Sequence, residues 1–165
     1  MKAMAKAIAA GKIRVAGISN CNVAHMRKAA DVLARYGIPL AANQVLYSLL
    51  HRAPETNGVL DACRQMDVAL IAYRPLAGGA VGAGSRKSKG RAALADALQE
   101  VAAAQDASTS QVALAWLLKR DDHVSAIPGA TKPDHVRQNS CALTLELSDE
   151  EFAAIDRAST STPAG

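Results

Sequence analysis

Aromatic side chains are scarce in this chain: one Trp, one Phe and three Tyr, 3% of 165 residues. With so few rings to stack on bases, and a net charge of only +4, a nucleic-acid-binding surface is not expected. Cysteine is sparser still. Cys21, Cys63 and Cys141 are odd in number, form no C-x-x-C and keep no metal-ligand spacing. They argue against a disulfide framework or a metal centre and suit thiols in a reducing, cytoplasmic setting. No run approaches the ~20 apolar residues of a membrane span. The opening MKAMAKAIAAGKIR is basic and alanine-rich but has neither a leucine-rich core nor a cleavage signal. It reads as a truncated helix, not a targeting peptide.

What the chain does have is alanine, in a length that allows one domain with a real core. Met1 to Ala10 is helical by propensity and closed by Gly11. Ile13–Ile18 is a strand. Asn22 can cap a helix whose apolar positions are Val23, Met26, Ala30 and Leu33. Gly37 ends it, and Pro39 leads into a second strand, Ala41–Leu46, carrying Asn43 and Gln44. After the loop SLLHRAPETN comes a helix with Val59, Leu60, Cys63 and Met66 on one face. Val68–Tyr73 is apolar throughout, as a strand buried on both faces should be.

The segment AGGAVGAGSRKSKGR, with five glycines and four cations, is the most flexible-looking piece. Ala92–Ala104 returns to helix, with Leu94, Leu98 and Val101 inward. Ser108 and Gln111 form a capping-box pattern before VALAWLLKR, a helix apolar most of the way round. Val124–Ile127 is the fourth strand. Ser148 and Glu151 make another capping box before a final helix with Phe152 and Ile155 inward. The domain is expected to occupy residues 1–158, with 159–165 a disordered tail. Strands alternating with helices at this spacing predict an α/β fold with a parallel sheet.

Each strand is followed or closed by polar or aromatic groups: Ser19-Asn20, Asn43-Gln44, Tyr73-Arg74, and Gly129 to Lys132. The carboxyl ends of parallel strands are where α/β folds bind ligands, so one end of the sheet is the expected site. The densest stretch is VSAIPGATKPDHVRQN, Val124–Asn139. Pro133 suits the first helical position. The free N–H groups beginning that helix, with Lys132, Arg137, Gln138 and Asn139, suit an anion of phosphate size. The plain alternative is a strand-to-helix connection with solvated charges.

GKIRVAGISN, NQVLYSLLHRAPE, VALIAYRPLAGG, QVALAWLLK and IPGATKPDHVRQN, followed by LELSDEEFAAID, resemble in order the carboxyl-terminal half of an aldo-keto reductase, over about Ala9 to Ala158. The second motif resembles the branch reading NQVxYSLLxRxPE. The resemblance implies a partial, half TIM-type (β/α)8 barrel of about four strands and an NADP(H)-dependent oxidoreductase of aldehydes and ketones. Matched by position, Ser19, Asn20 and Gln44 would bond the nicotinamide carboxamide, and Tyr73 would stack on its ring. Arg74, Leu76 and Gly78 fall along the pyrophosphate. Gly129, Lys132, Arg137, Gln138 and Asn139 fall at the 2′-phosphate and adenine. These residue types suit a flat ring, an amide and a phosphate dianion.

Two departures stand out. Cys21 occupies a position often aromatic in the family; it is a small packing residue or a reactive thiol. The loop after the third strand is short, and its cations Arg86, Lys87, Lys89 and Arg91 either reach the pyrophosphate or stay solvated. More important, the family's chemistry uses an Asp, a Tyr, a Lys and a His from the first half of the barrel, and none has a match here. His25, His51, His123 and His135 fall on helices or loops, and Tyr36 and Tyr47 lack the family's neighbouring sequence. No catalytic residue and no metal site is expected. Catalysis on an aldehyde or ketone would need the missing half, supplied by a longer chain, a partner or self-association. The alternatives are a non-catalytic NADP(H)-binding or interaction module and an inactive fragment.

Overall fold

Four parallel strands lie side by side in chain order: β1 (Ala16–Ser19), β2 (Leu40–Leu46), β3 (Ala69–Tyr73) and β4 (Val124–Ile127). The computed structural model describes residues 1–81 and 91–160. Around the sheet are α1 (Lys2–Ala9), α2 (Val23–Ala34), α3 (Ala53–Thr56), α4 (Val59–Met66), α5 (Ala92–Ala104), α6 (Thr109–Lys119), α7 (Pro133–Ser140) and α8 (Asp149–Thr160).

Local chemistry sets most boundaries. The Asn22 side chain accepts from the His25 N–H at 3.0 Å and starts α2. Ser108 and Gln111 satisfy each other's backbone N–H at the head of α6, and Ser148 and Glu151 do the same before α8. Gly11, at φ +67°, turns the chain after α1 where a Cβ would be strained. Pro133 occupies the first position of α7, as its missing N–H favours.

One face of the sheet holds the core. Ala16, Asn43, Val45, Leu70, Ala72 and Val124 point to the helices and are at most 7% exposed. Trp116 of the buried helix α6 stacks on Phe152 of α8, with ring centroids 5.7 Å apart, and the Arg52 guanidinium lies 5.0 Å from its ring. Around it Arg52 bonds Glu55 at 2.6 Å and Asp156 at 2.8 Å, Arg120 bonds both carboxylates, and the Tyr47 hydroxyl donates to Glu55. This network ties the residues after β2 to α6 and α8.

The opposite face is open. Alternation along each strand and the pairing register set Ser19, Gln44, Ile71 and Ser125 in one row, and Leu46, Tyr73 and Ile127 in the next. None of these is fully buried. Strands β1 and β4 are the sheet's edges, and four strands do not close a barrel.

Several expected boundaries move. β1 is Ala16–Ser19, not Ile13–Ile18, because its partner β2 begins at Leu40 opposite Ala16 and Pro39 offers no N–H to earlier residues. Strand β3 is not buried on both faces: Leu70 and Ala72 are buried while Ala69, Ile71 and Tyr73 are half-buried, since helices cover only one side. Strand β2 ends at Leu46 as expected and starts one residue early, at Leu40; Asn43 and Gln44 lie within it and face opposite ways. The loop after β2 contains the one-turn helix α3. Helix α8 extends through Thr160, with Ser159 buried and bonded to Arg52, so the expected tail boundary at 158 falls two residues early. Residues 161–165 lie outside the described residues.

Candidate functional site

The carboxyl ends of the four strands come together at one end of the sheet because all four run parallel. At the end of β1 the Ser19 hydroxyl donates to the Gln44 carbonyl at 3.0 Å, and the Asn20 N–H donates to the same oxygen at 2.8 Å. Ser19 and Gln44 are register partners and so share one row of the open face. Tyr73, last in β3, lies in the next row beside Leu46 and Ile127.

The turn after β1 is held from behind. The buried Asn43 amide donates to the Cys21 carbonyl at 2.8 Å, and its carbonyl oxygen accepts from the Cys21 N–H at 3.4 Å. Asn43 thus replaces a missing stretch of sheet ladder and fixes where Asn20 projects. Asn20 itself is left-handed at φ +53°, and after β3 so are Arg74 (+50°), Ala77 (+49°) and Gly78 (+68°). A left-handed non-glycine residue costs on the order of 1 kcal/mol and persists only where its surroundings hold it. Among the described residues the other two left-handed non-glycine positions are Asp67 and Asp106.

Beside β4 lies a hollow of about 280 Å³, lined by Leu76, Ser108, Ser110, Gln111, Gly129, His135, Gln138 and Asn139. The Gln111 amide donates to the Gln138 carbonyl at 3.0 Å and sets the spacing of α6 and α7. Of the residues singled out in the sequence, Leu76, Gly129, Gln138 and Asn139 meet here. Lys132 and Arg137 are not among the lining residues: Lys132 is the exposed N-cap of α7, and Arg137 pairs with Asp134 at 2.7 Å on the helix's solvent side. Arg74 and Gly78 are exposed on the turn after β3. Arg91 sits at the N-cap position of α5 without a side-chain capping bond, while Arg86, Lys87 and Lys89 lie outside the described residues.

Sequence reasoning passed over two contributors. His135, Gln138 and Asn139 stand at i, i+3 and i+4, one face of a helix, and that spacing picks out His135 where charge alone picks Arg137. By sequence alone Asn43 groups with the strand-end polar residues. Its partner lies 22 residues away, beyond any local pattern.

Two side chains that could otherwise donate a proton, Tyr47 and Cys63, are committed to the core. Burial, then the Glu55 carboxylate, pushes the Tyr47 phenol well above its ordinary range, so it stays a protonated structural donor. Cys63 is buried and pushed up to about 11 by that burial and by Asp121, which leaves an inert thiol. Cys21 is half-buried against the Ser19 carbonyl, and all three cysteines are free. Among the described residues no helix is long and apolar enough to cross a membrane.

A sequence model of the Aldo/keto reductase family matches residues 1–160. The chain belongs to that family. Methylglyoxal reductase YeaE of Escherichia coli is 39% identical over 157 residues, covering 94% of this chain and 51% of the relative. The NADH-specific methylglyoxal reductase of Escherichia coli is 33% identical over 159 residues, covering 86% and 47%. The NADP(+) aldo-keto reductase yakc of Schizosaccharomyces pombe is 31% identical over 182 residues, covering 96% and 52%. The crystal structure of a thermostable aldo-keto reductase with the inhibitor epalrestat superposes with a TM-score of 0.77 at 32% identity, over 95% of this chain and 53% of that one. The chain therefore spans about half the length of the relatives it matches, and its sheet is the corresponding part of their (β/α) fold.

Proposed function

We propose that this chain is the nucleotide-holding half of an NADP(H)-dependent reductase of aldehydes and ketones, and that the proton donor comes from another polypeptide segment. The observation that carries the reading is the convergence of Ser19, Asn20, Gln44 and Tyr73 on one end of the open face, next to the hollow lined by Gly129, Gln138 and Asn139. These residues fit a nicotinamide dinucleotide: hydroxyl and amide groups for a carboxamide, a phenol ring for a flat heterocycle, and a polar hollow for the adenosine end. When bound, that cofactor supplies hydride. Here Ser19, Asn20 and Gln44 would orient its ring, Tyr73 would cover one side, and Arg74, Leu76 and Gly78 would follow the pyrophosphate. Lys132 and Arg137, exposed at the rim, would meet the 2′-phosphate only by turning toward it.

The alternative is a non-catalytic NADP(H)-binding module, and one observation favours it. The rows of the open face present Gly17, Ser19, Gln44, Leu46, Ile71, Tyr73, Ser125 and Ile127, with no carboxylate, lysine or histidine among them. Two strand edges and a half-exposed apolar row also support assembly with a second copy or a separate half. The three free thiols suit the cytoplasm.

The test follows the cofactor's own fluorescence, because Trp116 is fully buried against Phe152 and reports on the core. NADPH binding at tens of micromolar is expected; its absence would remove both readings. Oxidation of NADPH with a nitrobenzaldehyde by the purified chain alone is not expected, and turnover would overturn the missing acid. Mass in solution separates self-pairing from a monomer. Lys132→Ala should weaken NADPH more than NADH, and equal loss of both would argue against a rim contact to the 2′-phosphate.

A further inference from the structure

Opposite charges gather at the two edges of the sheet. Residues 1–36, which hold α1, β1 and α2, carry seven Lys or Arg and one Asp, a net of +6. Residues 121–160, which hold β4, α7 and α8, carry eight Asp or Glu and three Lys or Arg, a net of −5. The large apolar side chains left exposed among the described residues follow the same division: Val15 and Tyr36 in the first segment, Ile127, Val136 and Leu143 in the second. Each edge also has room for a neighbour. Leu114, Leu118, Ala126, Val136 and Leu143 line an apolar hollow of about 320 Å³ beside β4. The strand-like residues Ile13–Val15 continue β1 toward its amino end but lie outside its ladder, which starts opposite Leu40.

We propose that each edge is completed by the opposite edge of a second copy: β4 of one copy pairs in parallel with β1 of the other, at two equivalent joints, and eight strands close around a two-fold axis. Contacts between matching edges would bring charges of one sign together, whereas opposite edges attract. Head-to-tail contacts form a ring only when their rotation closes. Here the four strands superpose on half of a solved aldo-keto reductase, and eight parallel strands are the number that closes a barrel of this kind. Such a barrel advances roughly eight residues in register around its circumference, hence about four per copy. The row from Ile18 through Asn43 and Leu70 to Val124 then meets Arg14 of the next β1, which sets Asp122 opposite Lys12. An advance in the other sense would run past Ser19, where β1 ends. The pairing takes up Ile13–Val15 as strand and covers both apolar edges. The two rows of the open face carry no charged side chain, so closure buries none without a partner. The carboxyl ends of all eight strands open at one mouth. The inference does not rest on the nucleotide reading above.

The experiment measures the mass of the intact chain by sedimentation from about 1 to about 200 µM, at about 0.05 M and about 1 M salt. Twice 17.1 kDa is expected at high concentration and low salt, with the dissociation constant weakened about tenfold at high salt. In dilute solution the copies separate by mass action, and there Ile71→Ala keeps the small cost of an open-face residue; where the mass doubles, its cost should approach that of a buried one. Two charge-reversed variants give the direction of the contact, each changed only at exposed side chains. Lys12→Glu with Arg14→Glu makes the amino end of β1 acidic, and Asp122→Lys with Glu146→Lys makes the segments around β4 more basic. Each alone should stay at the single mass, and an equal mixture of the two should restore the double mass, because only opposite edges then match. A single mass for the unmodified chain throughout, or growth beyond two copies, would overturn the inference, as would variants that still pair alone or a mixture that does not recover. A chain of single mass that binds NADPH would overturn this inference and leave the nucleotide reading intact, and a doubled mass without NADPH binding would do the reverse.

Discussion

The two faces of the sheet are made by the same strands and differ in almost every other respect. Leu70 and Ala72 are fully buried under the helices, while Ile71 and Tyr73, their immediate neighbours in β3, stand half-exposed on the open side. Asn43 and Gln44 repeat the contrast with polar residues: one amide is sealed inside and pairs with the Cys21 peptide, and the other projects from the open face. A one-residue step therefore separates groups that hold the fold from groups free to meet a ligand. The covered face carries the stability, and this leaves the open face free to carry side chains that contribute little to it.

The largest break in that comparison is a pair of truncations in one strand. Leu70→Ala leaves a cavity in a packed site and should lower stability by about 3 kcal/mol. Ile71→Ala, one residue on, should cost about 1 kcal/mol or less. Urea denaturation of both variants measures the gap, and equal losses would mean that the open face is packed against something in solution, a second copy being the first candidate.

Next comes the ionic cluster around Trp116. Glu55 has a side chain only 8% exposed and serves Arg52, Arg120 and Tyr47. Glu55→Gln leaves two guanidinium groups short of a partner and should cost about 3 kcal/mol, with no change in cofactor affinity. Loss of affinity beyond what unfolding explains would show that the two regions are coupled.

The polar pair sharpens the contrast further. Asn43→Ala removes two hydrogen bonds that hold the turn after β1 and should cost about 2 kcal/mol, whereas Gln44→Ala should stay within about 0.5 kcal/mol and act on cofactor affinity instead. The same urea series, joined to a fluorescence titration, reads both.

The smallest effect is on acid stability. Burial alone would raise the Glu55 pKa, but hydrogen bonds and charge from Arg52, with Tyr47 and Arg120, outweigh it and hold the carboxyl below its usual range. Burial likewise opposes, and Arg64 and the His123 N–H overcome, the shift at Asp121, which is also held low. A carboxyl with its folded pKa below the unfolded value of ~4.3 contributes fully above that value and loses the contribution as pH falls through the folded one. The urea midpoint should be flat from neutrality to about pH 5 and fall below about pH 4, less steeply in Glu55→Gln.

Much of the molecule is decided by residues close in sequence. Ser108 with Gln111, Ser148 with Glu151, Asn22 with the His25 N–H, and Pro133 at the head of α7 act over three or four positions, so they are legible in any string of letters. Strand-helix alternation at that scale implies parallel strands, and with them a common end where Ser19, Tyr73 and Gly129 meet. What only the tertiary structure decided is which way neighbouring residues face and where strands stop. β1 shortens because β2 begins at Leu40, Asn43 turns inward to a partner 22 residues away, and Arg137 turns out to Asp134 while His135 lines the hollow. Pairing register and helix phase depend on elements distant in the chain, and a single sequence records the residues that answer to them without recording the neighbours they answer to.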